Sequence, residues 1–208
     1  MKMPRIGAMT ATLAALLVAV APCVAAPMAY VSNEGTGSIS VIDTATDKVV
    51  ATWAVGGKPR GIAISLDGKS LYLSDQDKNG LVVVDTATGK PVRTVPLGNS
   101  PEAIYLSHDA KWLSSAVEED NSVAIVDTST LTVTRRIPTK GKNPEHAVWS
   151  PDGAWLYASA EEADSVDIID VAKGAVVKSV KVGDRPRGIG FLPDGTRAYV
   201  AAENADTD

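Results

Sequence analysis

Charged residues recur directly after four prolines that are spaced almost evenly along the chain. They are Arg60, Glu102, Glu145 and Arg187, and His146 follows Glu145. A guanidinium can hold a carboxylate through two parallel hydrogen bonds, and glutamate and histidine side chains can transfer protons. If the fold brings these positions together, their residue types predict a site for a small polar or anionic molecule.

A second series, rich in carboxylates, follows the next apolar segment of each repeat and includes Glu118 and Glu161. Two interpretations remain open for both series. Either the charged residues bind a ligand, or they pair with one another between neighbouring structural units and hold those units in place. Structural ion-pair networks resemble binding sites in their composition, so the sequence alone does not separate the two.

The segments that carry these residues repeat with a fixed period. The prolines are 42, 43 and 42 residues apart, and the aspartates that end each Val/Ile-rich run are 42, 42 and 43 residues apart. The prolines are Pro59, Pro101, Pro144 and Pro186, and the aspartates are Asp43, Asp85, Asp127 and Asp170. A period of roughly 40–45 residues built from short strands is typical of β-propeller blades.

The repeat predicts an all-β domain of four-stranded antiparallel blades, because Asp-Gly and Thr-Gly-Lys segments supply the tight turns that join such strands. The predicted domain covers residues 27–208, with a partial blade at 29–55, blades at 59–97, 101–138 and 144–182, and a partial blade at 186–208. Asp208 stands where earlier repeats carry an apolar strand residue, so we expect the chain to stop within a blade. About four blades predict an open or truncated arc of a larger propeller.

In a blade whose strands run alternately up and down, the connection into the first strand and the connection between the second and third strands emerge at the same end. Both charged series are therefore predicted to surround the mouth of the central channel. Loops converge there on a rigid scaffold, and propeller ligands usually enter at this point.

His146 occupies the most distinctive position in this predicted ring. The equivalent residues of the other repeats are Gly61, Ala103 and Gly188. An imidazole beside the channel is a candidate ligand-binding group or base near neutral pH. The alternative is a structural histidine hydrogen-bonded to Glu145, Glu102 or the backbone. His108 lies in a predicted turn and is expected to face solvent.

Two other sets of recurring side chains are interpreted as architectural. The four aspartates are expected to accept hydrogen bonds from the turns that follow them. Trp112 and Trp155 begin equivalent strands, and we interpret them as blade packing rather than as platforms for a ligand.

Net charge and the N-terminal segment bear on location. A net charge of -5 and a pI of about 5.1 argue against binding to a nucleic-acid backbone. Lys2 and Arg5 precede an apolar run that is too short to predict a membrane span, and small residues follow it. This pattern predicts a signal peptide over residues 1–26, cleaved near Ala25 or Ala26, and a periplasmic or secreted protein. The only cysteine, Cys23, is an alternative site for lipid attachment.

Several segments resemble a known repeat family. Tyr30–Asn33, Tyr72–Asp75 and Tyr199–Ala202 look like the Tyr-Val-Thr-Asn signature of YVTN-type β-propeller repeats. Gly141–Val148 and Ala160–Val166 resemble the periplasmic propeller proteins associated with PQQ-dependent catabolism. Members usually have about seven blades, so the resemblance implies that this chain supplies part of a seven-bladed propeller.

Taken together, the repeats, the export signal and the lack of linear catalytic motifs predict a non-catalytic binding or scaffold protein. The resemblance implies a role beside PQQ-dependent alcohol catabolism, with a periplasmic quinoprotein dehydrogenase or cytochrome as partner. No cofactor is predicted: the tryptophans of quinoprotein repeats are not in register here, and one histidine with two glutamates is not a metal signature.

Two enzyme-like alternatives remain open. The first is a lactonase-like hydrolase that uses Glu102, Glu145, His146 and Arg187 at the channel mouth. The second is a haem-binding propeller, for which the sequence offers two histidines.

Overall fold

The chain forms a series of short antiparallel strands in a computed structural model that describes residues 27–204. The predicted signal segment, Cys23 and Asp208 lie outside the described residues. The strands are β1 (Met28–Asn33), β2 (Ser38–Asp43), β3 (Lys48–Ala54), β4 (Pro59–Ile64), β5 (Ser70–Asp75), β6 (Gly80–Asp85), β7 (Lys90–Pro96), β8 (Pro101–Leu106), β9 (Trp112–Val117), β10 (Ser122–Asp127), β11 (Thr132–Pro138), β12 (Pro144–Trp149), β13 (Trp155–Ala160), β14 (Ser165–Asp170), β15 (Ala175–Lys181), β16 (Pro186–Phe191) and β17 (Ala198–Ala202). Single turns of 3-10 helix occur at Glu34–Thr36 and Glu161–Ala163. Within residues 27–204, no helix has the length and apolarity that crossing a bilayer requires.

The strands form five separate sheets in chain order. The first sheet is β1–β2–β3, the second β4–β7, the third β8–β11, the fourth β12–β15 and the fifth β16–β17. Strand β16 pairs with β17 and does not complete the first sheet beside β1. The predicted fold is therefore confirmed: the protein is an all-β propeller of four-stranded antiparallel blades arranged as an open arc.

Apolar side chains between neighbouring sheets form the core. Ile39 packs with Leu71 and Val84 between the first and second sheets. Leu81 packs with Leu113 between the second and third, and a third cluster lies between the third and fourth. Each blade is too thin to bury its own faces, so its stability depends on the adjoining blade.

The inner strands β4 and β8 approach so closely that one position between them has no room for a side chain. A Cβ added at Gly61 would lie 2.5 Å from the backbone nitrogen of Ile104. Gly188, at the equivalent position of β16, has no atom within 4 Å of such a Cβ. The same residue type is thus required by packing at one site and not at the other.

We expect Gly61→Ala to destabilise the protein by about 1–3 kcal/mol, because the clash is with backbone and must separate two sheets. The matched variant Gly188→Ala is expected to be neutral or stabilising, since its site is open and alanine restricts the unfolded chain. Urea denaturation of both variants checks this. Equal destabilisation by the two substitutions would contradict the close approach of β4 and β8.

Candidate functional site

A bulge at the start of each inner strand positions the first charged series. In β4, Pro59 pairs with Asp75 and Ile62 pairs with Leu73, so Arg60 and Gly61 together oppose a single residue. The same register shift occurs in β8, β12 and β16. Bulges redirect side chains, and here they direct the residue after each proline toward the same end of the blades. We call this end the channel mouth and its residues Arg60, Glu102, Glu145 and Arg187 the inner ring.

Side chains from the opposing strand satisfy the backbone at these bulges. The Gly61 N–H donates to the hydroxyl of Ser74 at 2.7 Å, and the His146 N–H donates to that of Ser159 at 3.1 Å. A bulge leaves a backbone donor without its ladder partner, so these hydroxyls remove the cost of burying it.

Arg60 connects the second sheet to three others. Its Nη2 lies 2.8 Å from Oε2 of Glu102 and 3.9 Å from Oε2 of Glu145. Its Nη1 lies 3.8 Å from Oε2 of Glu34 in the first repeat. The Glu102 side chain is only 3% exposed, whereas that of Arg60 is 32% exposed, so the guanidinium bridges a buried carboxylate and the channel mouth.

Arg187 holds the other side of the ring. Its Nη1 lies 2.8 Å from Oε2 of Glu145, and its Nη2 lies 3.2 Å from Oε2 of Glu161. Its Nε donates to Oε2 of Glu203 at 3.0 Å. Arg185 adds a second contact to Glu161. The structure thus contains the pairing between blades that the sequence left open, while ligand binding stays a prediction.

The outer series contains one residue that the sequence analysis missed. The positions that immediately follow the second strand of each repeat are Glu34, Gln76, Glu118, Glu161 and Glu203. Gln76 donates to Oε1 of Glu102 and to the hydroxyl of Ser100, and Ser100 in turn donates to Glu118 at 2.8 Å. The 42-residue spacing from Glu34 would have identified Gln76, but a search for charged residues passes over an amide.

Proton affinity differs sharply among the three central carboxyls. Burial raises the pKa of Glu145 to about 8, helped by its hydrogen bond with Glu161 and by the charge of Glu102, against the pull of Arg187. Burial also raises the pKa of Glu102, although the Arg60 guanidinium opposes this. For Glu161, burial pushes the pKa upward, but the bond from Glu145 and the two arginines outweigh it and lower the pKa. Glu145 therefore keeps its proton at neutral pH beside an ionised Glu161.

His146 forms a hydrogen bond with a residue that the sequence did not predict as its partner. Its Nδ1 lies 2.6 Å from the hydroxyl oxygen of Tyr105, and neither of the predicted glutamate partners bonds to the ring. Burial, together with the charges of Arg187 and Arg60, lowers the pKa of His146 to about 4. Burial raises the pKa of Tyr105. The pair is therefore neutral at physiological pH. His108, by contrast, lies in an exposed turn, as predicted.

We expect His146 to titrate near pH 4 in NMR spectra of its ring nitrogens, and Arg187→Gln to shift that titration upward because one neighbouring cation is lost. Only two histidines are present, so His108→Ala assigns the signals. A midpoint for His146 near that of free histidine, about 6.5, would contradict its burial among cations.

The inner ring and the tyrosine–histidine pair line one cavity of about 410 Å³. Arg60, Glu102, Glu145, His146 and Arg187 all contribute to its wall, together with Glu34 and Tyr105. Glu118 and Glu161 do not line it and act through Ser100 and Arg187. Within residues 27–204, no group of three or more histidine, cysteine or acidic side chains is arranged to hold a metal ion.

The recurring aspartates have the architectural role that was predicted. Asp127 accepts hydrogen bonds from the N–H groups of Ser129 and Thr130, at 2.8 and 3.0 Å. Asp43 and Asp85 receive equivalent bonds from their turns, and so does Asp170 from Lys173. These carboxylates lie at the opposite ends of the blades from the inner ring.

Two family models match the sequence. The model described as "YNCE-like beta-propeller" matches residues 6–112, and the model described as "Lactonase, 7-bladed beta-propeller" matches residues 85–181. No curated protein sequence matches the chain.

Solved structures share the fold. A chain of Kuenenia stuttgartiensis hydrazine synthase is similar at a TM-score of 0.77 and 29% identity, over 83% of this chain and 51% of that one. A functionally unknown protein from Desulfotomaculum acetoxidans DSM 771 is similar at a TM-score of 0.70 and 17% identity, over 84% of this chain and 59% of that one. The protein thus spans between half and three fifths of the length of these two relatives.

Proposed function

Because the chain belongs to the YNCE-like β-propeller family, we propose that it is a non-catalytic periplasmic binding protein that holds a small anionic ligand at the channel mouth. We further propose that it works beside a PQQ-dependent alcohol oxidation system, with a quinoprotein dehydrogenase or a cytochrome as partner. The support for that context is the resemblance of Gly141–Val148 and Ala160–Val166 to propellers associated with PQQ-dependent catabolism.

The observation that carries the ligand proposal is the charge balance of the inner ring. Arg60 and Arg187 supply two cations, while Glu145 is protonated because its pKa is raised to about 8. The inner ring therefore contains at most one ionised carboxylate, Glu102, against two guanidiniums, and the other carboxylates that contact these arginines, Glu34, Glu161 and Glu203, belong to the outer series. The arginine side chains are 32% and 29% exposed, so both can reach a carboxylate in the cavity.

The neutral pair of Tyr105 and His146 fits the same ligand. If the tyrosine hydroxyl donates to Nδ1, the other ring nitrogen of His146 carries a hydrogen that can be donated to an anion. The imidazole is already neutral at physiological pH, so its protonation state does not have to change when such a ligand binds.

Isothermal titration calorimetry with succinate tests the ligand proposal, with butane-1,4-diol as the uncharged probe of similar length. We expect succinate alone to bind, and Arg60→Gln to weaken it by about tenfold or more, since a buried charge-assisted bond contributes roughly 1.5–3 kcal/mol. Lys69→Gln, which removes an exposed cation elsewhere, is the matched control. Equal binding of the diol, or equal loss in the two variants, would refute the proposal.

A partner is tested separately by capture from periplasmic extract with the tagged chain. We expect enrichment of a dehydrogenase or a cytochrome, and repeated absence of both would count against the proposed context.

Lactone hydrolysis is the second candidate function, and the match of the lactonase model to residues 85–181 favours it. That segment contains Glu102, Glu145 and His146, and one structural relative is itself named as a synthase, an enzyme. Protonated Glu145 could act as a general acid in such chemistry. A screen of lactones with the wild type and His146→Ala decides: activity that depends on His146 would replace the binding proposal, and no activity would leave it standing.

A further inference from the structure

A second cavity, of about 570 Å³, lies between the third and fourth sheets. Trp112, Trp149 and Trp155 line it, and we call it the tryptophan cavity. Trp149 is the last residue of β12, whose first residues form the channel mouth, so the two cavities lie at opposite ends of the blades. No residue lines both.

Three of the four tryptophans of the chain converge on this cavity, and they are not equivalent. Trp149 is 4% exposed and its indole N–H donates to the carbonyl of Tyr105 at 3.2 Å, so it belongs to the core. Trp112 and Trp155 are only partly buried. Blade packing, which the sequence suggested for both, therefore leaves part of each ring directed at the cavity.

Among residues 27–204, no acidic side chain forms an ion pair with Arg135, a cation at the wall of this cavity. Arg135 lies exposed on β11 and donates one hydrogen bond to the carbonyl of Val171, in the turn that follows β14 of the next sheet. A guanidinium has five N–H donors, and this bond uses one of them. The carboxylate at the cavity wall, Asp170, is already paired with Lys173 at 2.8 Å. The local field therefore favours an anionic group beside Arg135.

We propose that the tryptophan cavity binds a planar aromatic molecule that carries a carboxylate. Its volume lies within the range of roughly 300–1,000 Å³ that small-molecule sites occupy. The indoles of Trp112 and Trp155 stack on or edge against a flat ring, and Arg135 receives the carboxylate. This site is independent of the function proposed for the channel mouth.

The second sheet provides a natural comparison. Arg93 occupies on β7 the position that Arg135 occupies on β11, and it likewise donates to a carbonyl of the following repeat, that of Leu131 in the turn before β11, at 3.3 Å. The residues there that correspond to Trp149 and Trp155 are Leu106 and Trp112, and Ser70 corresponds to Trp112. Arg93 therefore offers the same charge with one tryptophan instead of three.

Isothermal titration calorimetry of the full chain with 2-naphthoate tests the proposal, with cyclohexanecarboxylate and naphthalene-2-carboxamide as probes that lack the aromatic ring or the charge. We expect saturable binding of 2-naphthoate and weaker binding of both other probes. Arg135→Gln should lower the affinity for 2-naphthoate by about fivefold or more without changing the affinity for the carboxamide. Arg93→Gln should change neither affinity. Trp112→Ala should lower the affinity for both aromatic probes by about tenfold, and Trp112→Phe should retain most of that affinity.

The proposal is overturned if 2-naphthoate shows no saturable binding, if cyclohexanecarboxylate binds equally well, or if Arg93→Gln and Arg135→Gln have equal effects. Arg135 is on the surface, so Arg135→Gln gives an answer even if Trp112→Ala does not fold. Failure here leaves the channel mouth untouched, because its own test uses an aliphatic anion and different residues.

Discussion

Replacing Arg60 by alanine is expected to lower the free energy of unfolding by about 3–5 kcal/mol at neutral pH. The substitution leaves Glu102, whose side chain is 3% exposed, without the guanidinium that lies 2.8 Å away. A buried carboxylate that loses its counter-charge must either stay ionised at high cost or take up a proton. Chemical denaturation of the wild type and the variant at several pH values measures the loss.

The loss should depend on pH in a defined direction. Burial already raises the pKa of Glu102, and removal of Arg60 raises it further, so at low pH the carboxyl is protonated and needs no cation. The destabilisation is therefore largest at high pH and shrinks as the pH falls through the pKa of Glu102. Lys69→Ala, which breaks an ion pair on the surface, is the control and should have almost no effect. A loss that equals this control, or one that does not vary with pH, would contradict the role assigned to Arg60.

A double variant separates the ion pair from its burial. In Arg60→Met combined with Glu102→Gln, both charges are removed and the apolar volume is largely kept. Replacing a buried pair by neutral residues is often close to neutral in stability, so the double variant should be more stable than Arg60→Ala.

Glu145→Gln is expected to remove a fall in stability that the wild type shows between about pH 6.5 and pH 8. Burial raises the pKa of Glu145 from 4.5 to about 8, so the unfolded chain releases this proton at a lower pH than the native protein does. The contribution of the buried, protonated carboxyl is complete below pH 4.5 and is lost as the pH rises toward 8. Each pKa unit corresponds to about 1.4 kcal/mol, so the variant should gain a few kcal/mol over the wild type at pH 8.

Glutamine suits this test because it keeps the shape and the bonds of protonated Glu145. Its amide oxygen can accept from Arg187, and its amide nitrogen can donate toward Glu161. His146 affects a different range: its pKa is lowered to about 4, so its contribution is lost as the pH falls below about 6.5. The range above 6.5 therefore separates the contribution of Glu145 from that of His146. The same slope in variant and wild type over that range would show that Glu145 is ionised in the native protein.

The fold and the general position of the site could be predicted from the sequence because both depend on regular spacing. The prolines and aspartates recur every 42 or 43 residues, and each marks a fixed point of a blade. A residue directly after such a proline must lie at the start of an inner strand. Arg60, Glu102, Glu145 and Arg187 therefore meet in space although up to 127 residues separate them.

Contacts that depend on the direction of a side chain could not be predicted from the sequence. Tyr105 and His146 are 41 residues apart on neighbouring inner strands, and their bond arises from the bulge that turns His146 toward β8. The unequal proton affinities of Glu102, Glu145 and Glu161 follow from burial and from which arginine each one contacts. The residue types predict neither the Tyr105–His146 bond nor these differences in proton affinity. The three glutamates, for example, are the same residue type at similar positions in the sequence.

The grouping of the tryptophans could not be predicted from the sequence either. Trp112 and Trp155 stand at equivalent positions of two repeats, and the sequence offered no reason to connect them with Trp149 at the end of a different strand. Only the packing of the third sheet against the fourth brings the three rings around one cavity.

The most direct test of the account is an NMR titration of the ring nitrogens of His146 with succinate, because this residue lines the channel mouth and reports local occupancy. We predict a saturable shift of the His146 signals, absent with butane-1,4-diol and strongly weakened in Arg60→Gln. Signals of His146 that stay unchanged while succinate is added, or that respond equally to the diol, would contradict the claim that the channel mouth binds an anion.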